Sequence, residues 1–364
     1  MTRRLLSISG VCLVVTACLA YGQSPEKALL DLEGRGIPFT GAEFIGRAAR
    51  GDIDSVELFI AAGMDVDTQD EFGQTALISA ARWGHIKIVE ALMRRSANVN
   101  AAERYTGNTP LIYAAVRGNE EVTGMLLENG ARTNLENELG ETALILASGV
   151  GARQVVEILI LHGAEVNKTD RDGKTALMAA AKGDHREIVR ILLRHAADVN
   201  ARDRDGETAL TGSAAGGLTD TVKILIESGG EVNARDCLGY TALLSAAIMN
   251  HPETVRTLLE HGANVNAGNR DGETSLMHAA RKGQIGIVKI LLDNDADVNA
   301  RSKIGLTALS YAAHKGDPDI VKLLLSRGAD PNVTTPDGWT PLKHAQKEGN
   351  NDVVQLLLEA GANE

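Results

Sequence analysis

Residues 171–200 read RDGKTALMAAAKGDHREIVRILLRHAADVN, and nearly the same thirty residues recur before and after them at a fixed step. The marker Thr-x-Leu falls at Thr75, Thr109, Thr142, Thr175, Thr208, Thr241, Thr274, Thr307 and Thr340, a spacing of 34 once and then 33 seven times. A period near 33 held over nine copies marks a repeat array. One such unit buries too little apolar surface alone and must stack on its neighbours.

The residues specify the unit. Asp172-Gly173 is a tight-turn signal, because glycine accepts the positive φ that such turns demand. Thr175 is placed to cap a short helix whose buried side is Leu177, Ala180 and Ala181, small enough there for a neighbouring helix to come close. Ile188, Val189, Leu192 and Leu193 then lie on one face of a second helix. Glycines at 63, 130, 163, 229, 262, 328 and 361 end that helix in a left-handed cap, whereas Ser96, Ala196 and Asp295 stand there in three units. A side chain at positive φ costs roughly 1 kcal/mol, so those three junctions are expected to be the softer ones.

This sequence of turn, helix, helix and cap resembles the ankyrin repeat over roughly residues 41–364. The resemblance implies an all-α repeat solenoid of about ten stacked units, each a β-turn finger followed by two antiparallel helices. The stretch from Ala42 to Asp67 is read as a degenerate first unit without the turn or the threonine, and the first and last units as caps. After Thr-x-Leu, where the family most often has histidine, this chain has Ile78, Ile112, Ile145, Met178, Thr211, Leu244, Met277, Ser310 and Lys343. That wording is similar to ankyrin proteins of bacteria.

Ahead of the array, residues 1–22 pair Arg3 and Arg4 with an apolar run from Leu5 to Leu19, too short for an ordinary spanning helix and ending in small residues. This is a signal-peptide pattern. Cleavage after Ala20 or Gly22 is one exit; the other is Val15-Thr16-Ala17-Cys18, which is similar to a bacterial lipoprotein box with Cys18 as the lipidated residue. Residues 23–40 form a polar lead-in with one helical patch, Ala28 to Leu32.

Catalysis finds no foothold. The nine histidines sit at repetitive places, with no i, i+4 pair and no HExxH spacing, and Cys237 stands alone after the leader. Phosphate-binding loops and nucleophile elbows are missing from the sequence, so no enzyme, cofactor or metal site is expected. A net charge of −11 argues against nucleic acid as a partner.

The informative residues are those that vary between units. Of eleven aromatics, every one beyond the first unit falls on a finger or on the exposed side of a first helix: Phe72, Trp83, Tyr105, Tyr113, Tyr240, Tyr311 and Trp339. The resemblance implies that these positions line a concave groove where protein partners dock. Leu139, Leu238, Ile248, Met249, Ile304 and Leu306 extend this face, and Arg171, Asp172, Lys174, Arg204, Asp205 and Glu207 make its middle charged. The chain is therefore read as an exported scaffold, in the periplasm or cell envelope, that presents the groove to a protein partner. The alternatives are a secreted effector, self-association through the aromatic patches, or a metal or enzyme site hidden in the array. Tyr113 and Tyr311, being helical, also fit half-buried packing.

Overall fold

The computed structural model describes residues 23–363; the leader, with Cys18 and its cleavage positions, lies outside them. Among the described residues the chain forms 21 α-helices and no strand. One helix belongs to the lead-in and the other twenty make ten antiparallel pairs, the stacked ankyrin architecture. The described residues divide into two compact units, one up to Arg171 and the other from Asp172.

In the first unit the lead-in is itself packed. Ser24 caps the helix Pro25–Gly34, which buries Ala28 and Leu32 and lies against the helix Ile53–Ala61. Phe39 stacks on Phe59 at 5.6 Å, and Phe44 meets the same ring at 5.6 Å. The first repeat is less degenerate than its sequence reads: Thr40 Oγ1 accepts from Glu43 N and starts the helix Gly41–Arg50, although no leucine follows at the usual place. The pairs Ala76–Trp83 with Ile86–Met93, Pro110–Val116 with Glu120–Glu128, and Ala143–Val150 with Arg153–Leu161 complete this unit.

The second unit holds six pairs, from Ala176–Lys182 with Arg186–Arg194 to Pro341–Glu348 with Asn351–Glu359. In both units each Thr-x-Leu threonine caps its helix by accepting the backbone N–H three residues on, as Thr75 does from Ile78 and Thr340 from Lys343. The alanine pairs behind them, such as Ala80-Ala81 and Ala279-Ala280, are fully buried between successive first helices.

Three rows of hydrogen bonds tie one repeat to the next, and each accounts for a recurring residue. Along the fingers, Arg104 N donates to Phe72 O at 2.8 Å and Glu138 N to Thr106 O at 2.8 Å; in the second unit Arg270 N donates to Leu238 O and Lys303 N to Asp271 O. At the closing Val-Asn element, Asn100 Nδ2 donates to Gly130 O while its Oδ1 accepts from Arg132 N, and Asn233, Asn299 and Asn332 do the same in their repeats. Between the helices, His85 Nε2 lies 3.0 Å from Ala49 O and His251 Nε2 lies 3.0 Å from Ala215 O of the preceding repeat. That ring occupies the space a side chain at Gly217 would need: a Cβ there would come within 2.4 Å of the His251 ring.

The expected left-handed caps are present, with Gly63, Gly163 and Gly361 at φ 93°, 80° and 88° and with Ser96, Ala196 and Asp295 at 57°, 60° and 61°. Two more side chains adopt positive φ, Asp184 and Asn250, in the turn between helices where other repeats carry Gly84 or Gly283. Ala196→Gly is expected to raise stability by about 0.5–1 kcal/mol, since relief of left-handed strain exceeds the added entropy of the unfolded chain. Urea unfolding would read this; an unchanged midpoint would mean that methyl contacts offset the strain.

Candidate functional site

On the first unit, the fingers and the ends of the first helices bring Phe72, Trp83 and Tyr105 to the surface, with 51%, 55% and 68% of their areas exposed. The backbone bond from Arg104 to Phe72 O holds neighbouring finger tips together, so the Phe72 and Tyr105 rings meet edge to face at 6.3 Å. The Arg117 guanidinium lies 5.0 Å from the centre of the Trp83 ring, and Leu139 extends the patch along the next finger. Such uncovered aromatic surface is the kind that dominates protein interfaces.

Tyr113 behaves differently. It is half-buried, its hydroxyl donates to Glu103 Oε2 at 2.7 Å, and Arg82 lies 4.8 Å over its ring. Burial first, and then the bond to Glu103, push the Tyr113 phenol above its ordinary pKa. Glu103, only 7% exposed, also accepts from Gln74 Nε2 and Thr106 Oγ1, with Arg82 4.0 Å away. Sequence reading did not single out Glu103. The signal was the extra residue that lengthens this finger, and the finger folds so that the carboxylate turns inward.

The second unit repeats the motif in a new form. Leu238, Met249 and Ile304 are exposed, while Tyr240, Tyr311 and Trp339 are half-buried. The Tyr311 hydroxyl donates to Glu273 Oε1, and Arg281 sits 5.3 Å over the Tyr311 ring and 3.2 Å from Glu273. Trp339 stacks on His344 at 5.0 Å, with Lys347 5.2 Å from its ring centre. Tyr240 faces His278 at 6.3 Å. Ile248 and Leu306 are half-buried as well.

His278 is the most enclosed ionisable group of this face, at 3% exposure. Arg281 donates to its Nδ1 at 2.6 Å, so that nitrogen accepts and the ring proton belongs on Nε2, 3.2 Å from Glu273 Oε2. Burial first, and then the Arg281 charge, lower the His278 pKa to about 4 despite the opposing pull of Glu273. Nearer the start of this unit, Glu207 is pushed up by burial and by Asp203, Asp236 and Asp205, while Asp172 lies 3.9 Å from Arg204 and 3.8 Å from Lys174.

Two other histidines close helix ends. His162 and His261 place Nδ1 2.9 and 2.7 Å from carbonyls four residues back. Among the described residues no group of three or more His, Cys, Asp or Glu is placed to hold a metal ion, and no helix is long and apolar enough to cross a membrane. Cys237 is an exposed thiol on a finger.

Comparison with known proteins agrees with this geometry. The profile for ankyrin repeats in sets of three copies matches residues 45–137, 125–203, 144–236, 210–302 and 276–364. The chain belongs to the ankyrin-repeat family. It is similar to the E3 ubiquitin-protein ligase XBAT33 of Arabidopsis thaliana, 35% identical over 92 residues that cover 25% of this chain and 18% of that protein. An ankyrin repeat-containing protein of Treponema pallidum is 34% identical over 108 residues, 30% of this chain and 35% of its own length. The ankyrin repeat and KH domain-containing protein mask-1 of Caenorhabditis elegans is 36% identical over 88 residues, 24% of this chain and 3% of its own. The chain thus spans well under two thirds of the length of these relatives.

Proposed function

We propose that this chain is a non-catalytic protein-binding scaffold whose finger and first-helix faces receive a protein partner. The observation that carries the reading is the trio Phe72, Trp83 and Tyr105, which stay more than half exposed although Arg117 lies over one face of Trp83 and the Phe72 and Tyr105 rings touch. An ankyrin stack holds such residues rigidly, which lowers the ordering cost of association. The family supports a role in protein–protein contact. The place of action belongs to the same proposal: the leader pattern of residues 1–22 supports export to the periplasm or cell envelope, with Cys18 as a candidate lipid anchor.

The test is a cross-linked pull-down from the envelope fraction of the source cells. The wild-type protein is run beside a Phe72→Ala, Trp83→Ala, Tyr105→Ala variant that retains its circular dichroism. A partner retained by wild type and lost from the variant is the expected result. Identical partners in both would assign binding to another face, and no partner in either would sink the scaffold reading. N-terminal sequencing of the mature protein reads the leader: a start at Cys18, or one after Ala20 or Gly22, is expected, and an intact Met1 would overturn export.

A further inference from the structure

We infer that the face of the last four repeats takes an acidic polypeptide segment carrying aliphatic side chains. The inference rests on the scaffold reading above and adds the chemistry of the partner. In a chain of net charge −11, five exposed cations of this face, Arg270, Lys282, Lys303, Lys315 and Lys347, have no carboxylate partner among the described residues. Elsewhere in the same unit cations find one: Arg186 lies 2.6 Å from Asp220 and Arg327 lies 2.6 Å from Asp293. The carboxylates of the face are mostly engaged, Glu273 by Tyr311 and Arg281, Glu348 by His314 at 3.5 Å, Asp236 by the backbone N–H groups of Leu238 and Tyr240 and Asp317 by that of Ile320, leaving Asp271 and Asp337 at the finger tips. The unpaired balance is positive.

These cations alternate with uncovered apolar side chains along two rows. The finger row runs Leu238, Arg270, Lys303, Ile304, joined by the bonds from Arg270 N to Leu238 O and from Lys303 N to Asp271 O. In the helix-end row Lys282 Nζ donates to Ile248 O at 2.9 Å, which sets the ammonium beside exposed Met249. Lys315 lies against the next helix end, its Cε 3.9 Å from where a Cβ at Gly283 would stand. Between the rows the floor is Tyr240, His278, Tyr311 and Arg281, occupied with one another. An extended or helical segment with carboxylates toward the cations and Leu or Ile toward Leu238, Met249 and Ile304 satisfies both rows.

A nucleic acid fits less well. Its bases need free aromatic faces, whereas the exposed apolar groups here are aliphatic and the aromatic ones are engaged.

Fluorescence anisotropy of the full chain against three labelled probes tests this: a 16-residue Glu/Leu peptide, its Lys/Leu counterpart, and a single-stranded DNA of equal charge to the first. The acidic peptide is expected to bind tightest and to weaken with salt. Lys282→Glu, Lys303→Glu, Lys315→Glu together should weaken it at least tenfold, and Met249→Ala with Ile304→Ala at least threefold. Lys87→Glu with Lys223→Glu, on second helices, should leave it unchanged. Equal binding of the Lys/Leu peptide, DNA binding as tight as the peptide, no peptide binding, or indifference to the triple reversal would each overturn the inference. Carrying the triple reversal into the pull-down separates the two claims. A partner captured equally by wild type and the reversed variant leaves the scaffold standing and removes the acidic-partner assignment.

Discussion

Glu103→Ala is expected to destabilise the first unit by about 3 kcal/mol, a large effect for a residue on a finger. The substitution withdraws one carboxylate from three donors at once, Tyr113 Oη at 2.7 Å, Gln74 Nε2 at 2.9 Å and Thr106 Oγ1. A buried polar group left without its partner costs about 1–3 kcal/mol. Thr106 is exposed and recovers a bond from water, so most of the loss falls on the half-buried Tyr113 and on Arg82, which keeps its stacking on the ring but loses the carboxylate 4.0 Å away. Denaturant unfolding of Glu103→Ala, Tyr113→Phe and the double variant separates these contributions. A coupling of about 1 kcal/mol between the two sites is expected. A loss below 1 kcal/mol for Glu103→Ala would show that water enters the finger freely and that Tyr113 is held by packing alone.

Acid should loosen the second unit through His278. Its folded pKa, about 4, lies below the ordinary value of 6.5. The unfolded chain therefore takes up the proton first as pH falls. The stabilisation is fully present above pH 6.5, declines through the window from 6.5 to about 4, and is gone below it. A shift of that size corresponds to at most about 3 kcal/mol, with water screening reducing it. The structural reason is the bond from Arg281 to Nδ1: a proton on that nitrogen removes the acceptor and sets two cations face to face. Glu273 acts in the same sense at lower pH. The Tyr311 bond and the charges of His278 and Arg281 outweigh burial and hold its pKa below 4.5, so its contribution is also lost on acidification. His344, lowered by burial and by His314, adds a smaller slope of the same sign. Melting curves at pH 7 and pH 4.5 should show a smaller drop for His278→Gln than for wild type. An equal drop in the two proteins would place the acid sensitivity elsewhere.

Much of the molecule could be read along the chain because its determinants are local. A threonine that caps a helix bonds the N–H three residues on, and a glycine at positive φ needs nothing beyond its own backbone, so the 33-residue step in Thr-x-Leu located the first helices. Thr40, Asp184 and Asn250 depart from the residue pattern, Thr40 by lacking the leucine two residues on and Asp184 and Asn250 by standing where other repeats carry glycine, yet each keeps the local geometry of its register.

The site was only partly visible. The sequence marked the aromatic positions, and for Phe72, Trp83 and Tyr105 position and exposure coincide. Tyr113 and Tyr311, four residues after the cap threonine, and Tyr240 and Trp339, immediately before it, are half-buried, and of these the sequence pointed to packing only for the two helical tyrosines. The adjacent repeat completes the burial of three of them, with Arg82 for Tyr113, Arg281 and Glu273 for Tyr311 and His278 for Tyr240, while Trp339 is covered by His344 and Lys347 of its own repeat. The sequence by itself determined the repeat, its helices and its caps, because those depend on contacts within a few residues. The tertiary structure alone decided which side chains remain free to meet a partner, because that choice depends on side chains about one repeat away, brought alongside only by stacking.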